Sequence, residues 1–115
     1  MEKVIRLLHR LGITPGYRGY RQAIIALELL DENEDWMCSI MELYSEIAYL
    51  NHTTQKAVER NIRTLSKRAW TINPKLLERL AGYPLKEEPA NTDFLFMLLN
   101  YKQRTSSPQP AGQKF

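Results

Sequence analysis

Cysteine is almost absent from this sequence: Cys38 stands alone, so no internal disulfide can form. Histidine is nearly as scarce, and His9 and His52 lie too far apart to offer metal-binding spacing, so neither a metal nor another cofactor is expected. No apolar run approaches the roughly 20 residues that a membrane-spanning helix needs. The opening MEKVIRLLHRLG is amphipathic, without the apolar core and small-residue cleavage site of a secretory signal. These absences predict a cytoplasmic chain with no membrane partner. Paired carboxylates, a nucleophile beside a base and a glycine-rich phosphate loop are also missing, which argues against an enzyme. No stretch alternates apolar and polar residues for long enough to make a strand, and there is no internal repeat. Cys38 falls at a helical position in WMCSIMELY and reads as a small buried hydrophobe.

What is present suits one soluble domain: 115 residues, 43% apolar and 25% charged, are enough to bury a core of their own. The net charge of +3 is modest, but its distribution is uneven. Residues 3–21 carry Lys3, Arg6, Arg10, Arg18 and Arg21, whereas 22–46 hold Glu28, Asp31, Glu32, Glu34, Asp35, Glu42 and Glu46 and no base. From 52 to 70 the sign reverses again. A positive face and a negative face on one small domain fit a polyanion partner.

Val4, Ile5, Leu7, Leu8 and Leu11 recur at helical spacing, and Gly12 supplies a stop before the turn at Thr14, Pro15 and Gly16. A second helix is predicted from about Tyr20 to Leu30, ending in the acidic linker DENED. A third, over about 36–43, would bury Trp36, Met37, Ile40 and Leu43, and a short fourth spans Ser45 to Asn51. A fifth covers about 54–70. Asn73 and Pro74 read as the N-cap and first residue of a sixth, which Gly82 closes. The two prolines of YPLKEEPAN mark a loop. The last helix starts near Asn91, whose side chain is expected to cap it, and turns Phe94, Leu95, Met97 and Leu98 inward. Beyond Arg104, TSSPQPAGQKF is expected to be a disordered tail. The predicted fold is all-α, a compact bundle of six or seven helices over 1–104 containing a helix-turn-helix over about 45–70, with a tail over 105–115.

The stretch YLNHTTQKAVERNIRTLSKRAW, residues 49–70, concentrates the information. Thr54 is placed to cap the helix that follows. Val58, Ile62, Leu65 and Ala69 then fall at intervals of four, three and four, forming one buried stripe. Lys56, Arg60, Arg63 and Lys67 repeat those intervals, displaced by two residues. At about 100° per residue the basic stripe lies roughly 200° away, pointing out. Ala48 stands ten positions before Val58 with a polar turn between, the spacing of a helix-turn-helix in which a small residue permits close crossing. Gln55, Lys56, Glu59, Arg60 and Arg63 would then face a major groove, with Arg or Lys donating to guanine, Gln pairing adenine and Glu accepting from cytosine. The glycine frequent in such turns is replaced by His52, which reads as a turn residue or a phosphate contact.

With TT, VER, IR and AW at fixed separations, TTQKAVERNIRTLSKRAW resembles the recognition helix of the C-terminal DNA-binding domain of stage zero sporulation protein A, the response regulator that starts sporulation in Firmicutes. LLHRLGITPGYRGY, YSEIAYLNHTT, LLERLAGY and PANTDFLFML resemble other parts of that domain in the same order, so the likeness covers about 4–104. The resemblance implies an all-helical transcription-factor domain that binds double-stranded DNA at TGTCGAA-like boxes, often as a head-to-tail homodimer. It implies base reading by Glu59 and Arg60, DNA contacts from Lys56 and Arg63, and a contact with the housekeeping RNA polymerase sigma factor near 73–86. Backbone contacts are expected from Arg18, Arg21, His52, Thr54, Gln55 and Lys67. The sequence departs from the family in having no receiver domain, so activity independent of phosphorylation is expected. It departs again at Leu50, Asn51 and Lys56, which replace a Lys, an aromatic and a Ser, and Lys56 is expected to trade specificity for phosphate affinity. A second reading stays open: a protein-interaction module that modulates a full-length regulator or RNA polymerase, docking through the acidic stretch from Glu28 to Glu46.

Overall fold

Helix ends in this chain are set by specific capping residues, and the caps explain the element order. The computed structural model describes residues 1–106. α1 (Glu2–Arg10) stops where Gly12 takes a φ of +82°. There the Gly12 N–H donates to the His9 carbonyl and the Ile13 N–H to the Leu8 carbonyl at 2.8 Å, the paired bonds of a Schellman ending. α2 (Gly19–Glu32) absorbs the first half of the stretch expected as an acidic linker. A 3₁₀ segment (Glu34–Ser39) follows, its first turn capped by the Asn33 side chain accepting from the Asp35 N–H. α3 (Ile40–Leu50), α4 (Gln55–Ile72) and α5 (Pro74–Ala81) come next. Asn73 caps α5 through the Leu76 N–H, Pro74 occupies its first turn, and Gly82 at φ +88° closes it, as the sequence predicts. α6 (Asn91–Ser106) ends the described chain. The tail expected over 105–115 lies, from residue 107 on, outside the described residues.

The core is built from Leu7, Leu8, Leu11, Leu27, Leu30, Leu43, Ile47, Ile62, Leu65, Leu77 and Phe94, all fully buried. α4 runs through its middle and packs on α2, α3, α5 and α6. The all-α bundle is therefore present, with six α-helices and no strand among the described residues.

Four local expectations are corrected. The helices predicted over 36–43 and 45–51 are one α-helix from Ile40, preceded by the 3₁₀ segment. Trp36, Met37 and Ile40 are only half-buried, while Leu43 is buried. Cys38 is exposed rather than buried, because a 3₁₀ segment repeats every three residues and Trp36, Ser39 and Met37 take the inward positions. Asn91 is the first residue of α6, and its amide nitrogen reaches across to other helices instead of capping its own.

Candidate nucleic-acid interface

α3 and α4 form the helix-turn-helix. Ala48 and Val58 are both buried at their crossing. Between them α3 ends as α1 does: the Thr53 N–H donates to the Ala48 carbonyl at 2.9 Å and the His52 N–H to the Tyr49 carbonyl at 3.4 Å. His52 occupies the left-handed position at φ +54°, where such an ending usually places glycine. The Asn51 side chain donates back to the Ile47 carbonyl. Thr54 then caps α4, its Oγ1 accepting from the Ala57 N–H at 3.1 Å. The Ser45 hydroxyl donates to Gln55 Oε1 at 2.9 Å and ties α3 to the first turn of α4.

Val58, Ile62, Leu65 and Ala69 are fully buried, and Lys56, Arg60, Arg63 and Lys67 are exposed, so the two stripes of α4 face inward and outward as their spacing requires. Among the described residues Lys56, Arg60 and Lys67 make no salt bridge. Arg63 pairs with Glu59 at 3.4 Å along the same helix, and both ends are solvent-accessible, so the pair contributes little stability. The Glu59 carboxylate thus sits against Arg63, not Arg60.

Both flanks of α4 are held. On one side Gly19 abuts the Asn61 carbonyl, and Asn61 donates to Gln22 Oε1 at 3.1 Å. Exposed Arg18 and Arg21 bracket this contact at the start of α2. Further along, Arg68 is turned inward: its Nε donates to the Gly12 carbonyl at 3.0 Å and its guanidinium lies 5.8 Å from the Tyr17 ring centre. It braces the α1–α2 turn. On the other side buried Ser66 donates to the Pro89 carbonyl at 2.7 Å. Asn91 Nδ2 donates to the Glu59 backbone carbonyl at 2.9 Å and to Tyr44 Oη at 3.2 Å. Burial pushes the Tyr44 hydroxyl above its ordinary range, partly opposed by the bond to Asn91. Beside this flank a groove of about 790 Å³ runs between α3, α4 and residues 83–93, with Met41, Tyr44, Glu59, Arg63, Tyr83 and Met97 among its walls.

Sequence reasoning missed Asn61, Ser66 and Asn91 as braces of α4. Asn61 and Ser66 carry no local signal and Asn91 reads as a cap, so only the tertiary partners reveal the role of each. The approach of Gly19 left a faint trace, a glycine in the first turn of a helix with no local need for it. Among the described residues no three of His, Cys, Asp and Glu group as metal ligands, and no helix is long and apolar enough to cross a membrane.

A family model described as sporulation initiation factor Spo0A C terminal matches residues 4–101, which include every element that forms or braces α4. No curated protein matches the chain.

Proposed function

The chain belongs to the Spo0A C-terminal family, the DNA-binding domain of the sporulation regulator, and from that premise we propose that it reads specific DNA sequences by placing α4 in the major groove. The observation that carries this reading is the outward stripe of Lys56, Arg60, Arg63 and Lys67 on a helix braced along both flanks. A charged ridge that cannot roll is what base reading requires. Arg60 donates to guanine O6 and N7, Glu59 accepts from cytosine N4, and Lys56 and Arg63 reach bases or phosphates. Thr54 and Gln55 each use one oxygen internally, leaving a hydroxyl and an amide group to donate to the DNA backbone. Arg18, Arg21, His52 and Lys67 add backbone contacts from the flanks and the turn. The expected target is a TGTCGAA-like box, bound singly or by two copies head to tail. A sigma-factor contact along 73–86 belongs to the same reading, supported by the exposed Tyr83.

The test compares two substitutions on a boxed and a scrambled duplex. Arg60→Ala should cost about 1–3 kcal/mol on the boxed duplex and flatten sequence preference. Lys67→Ala should weaken both duplexes alike and reduce the salt slope by about 1. Equal losses on both duplexes for Arg60→Ala would remove that residue from base reading.

A further inference from the structure

Base reading depends on how a helix is rotated about its own axis as much as on which side chains it carries. A side-chain tip about 6 Å from the axis moves roughly 1 Å for a rotation of about 10°. Hydrogen bonds to base edges tolerate only a few tenths of an ångström, whereas a charge beside a phosphate tolerates far more. Whatever fixes the rotation of α4 near residues 59 and 60 therefore bears on specificity more than on affinity.

Asn91 is placed to do this. A carboxamide nitrogen has two hydrogens, and both of those on Asn91 are used across helix boundaries. One goes to the Glu59 carbonyl on α4 at 2.9 Å, the other to Tyr44 Oη on α3 at 3.2 Å. The side chain is half-buried, so water competes poorly for these bonds. Two turns further along the same flank, Ser66 donates to the Pro89 carbonyl. The segment 89–91 therefore grips α4 at two heights, and of these two grips it is that of Asn91 that lies at the level of Glu59 and Arg60 and joins both helices of the motif. The neighbouring carbonyl it holds belongs to a residue assigned to base reading.

We infer that Asn91 is a positioning residue for sequence discrimination, its amide locking α3 and α4 in the setting from which Glu59 and Arg60 read bases. This rests on α4 being the DNA-reading helix. The measurement is fluorescence anisotropy of the full chain with a labelled duplex carrying two TGTCGAA-type boxes and with a scrambled duplex, at fixed salt. Asn91→Ala should lower the boxed-to-scrambled affinity ratio about tenfold, the loss of one well-made base contact, while scrambled binding changes less than about twofold. Ser66→Ala removes a bond from the same segment at a height away from the reading residues, and should keep the ratio. If Asn91→Ala does not fold, Tyr44→Phe decides. It releases one of the two anchors and should lower the ratio about twofold to threefold, a fraction of the full base-contact loss. An unchanged ratio in the folded Asn91 variant, or in Tyr44→Phe where that variant decides, overturns the inference. Equal losses on both duplexes overturn it too, since they mark general loosening. A wild-type chain that does not separate the two duplexes overturns the DNA reading itself.

Discussion

The α-carbon of Gly19 lies so near α4 that a β-carbon on it would stand 2.8 Å from the Asn61 carbonyl oxygen. The obstacle is backbone in the middle of a helix, which cannot swing aside as a side-chain tip would. Gly19→Ala must push α2 and α4 apart, and should destabilise the fold by about 1–3 kcal/mol in urea unfolding. Gly16→Ala provides the control, because a methyl group there would meet nothing nearer than Thr14 Oγ1 at 3.9 Å, and it should change stability little.

His52 holds a left-handed backbone that side chains other than glycine adopt at a cost. His52→Gly should raise stability by about 0.5–1 kcal/mol, the relief of strain less the added freedom of the unfolded chain. The same change should weaken DNA binding modestly if the imidazole reaches a phosphate. Thermal unfolding and anisotropy read the two effects separately.

Arg68 is basic and sits on α4, yet its guanidinium serves the α1–α2 turn. Arg68→Ala should cost about 1.5–3 kcal/mol of stability, the range for a hydrogen bond from a charged donor. The salt dependence of DNA binding should stay as in the wild type, measured where the variant is folded. A fall in the salt slope would place Arg68 among the phosphate contacts instead.

Asp31 accepts from Lys102 and Gln103, joining the end of α2 to α6. The Lys102 hydrogen bond holds its carboxyl below the ordinary value of 3.8, with burial working the other way. A carboxylate depressed in the folded state stabilises above that ordinary value and loses its contribution as pH falls through the folded one. Urea midpoints should therefore drop on going from neutral pH to below 3.8, and Asp31→Asn should make that drop smaller.

Residues whose role is set within one helix were legible in the sequence. The stripe of Val58, Ile62, Leu65 and Ala69, the Thr54 cap and the Asn73–Pro74–Gly82 frame of α5 each follow from spacing or local chemistry, and the structure has them. The resemblance that named the domain also rested on such local runs, and the family match covers them. What was not legible depends on partners distant in sequence. Asn91 reads as a cap until Tyr44 and Glu59 are brought beside it, and Arg68, which lies outside the basic stripe, has no assignable role until Gly12 and Tyr17 are in place. The division at 44 failed for a different reason. Tyr44 and Ser45 break the apolar pattern, but Tyr44 is buried with its hydroxyl paired and Ser45 faces Gln55, so the helix runs on.

The central claim is that α4 reads sequence, and anisotropy against a boxed and a scrambled duplex across a salt series tests it most directly. The account predicts a boxed duplex bound at least about a hundredfold tighter, with a log–log salt slope near −4 to −5 for roughly five phosphate contacts. Equal, weak binding to both duplexes would contradict it and leave the basic stripe as an electrostatic surface only.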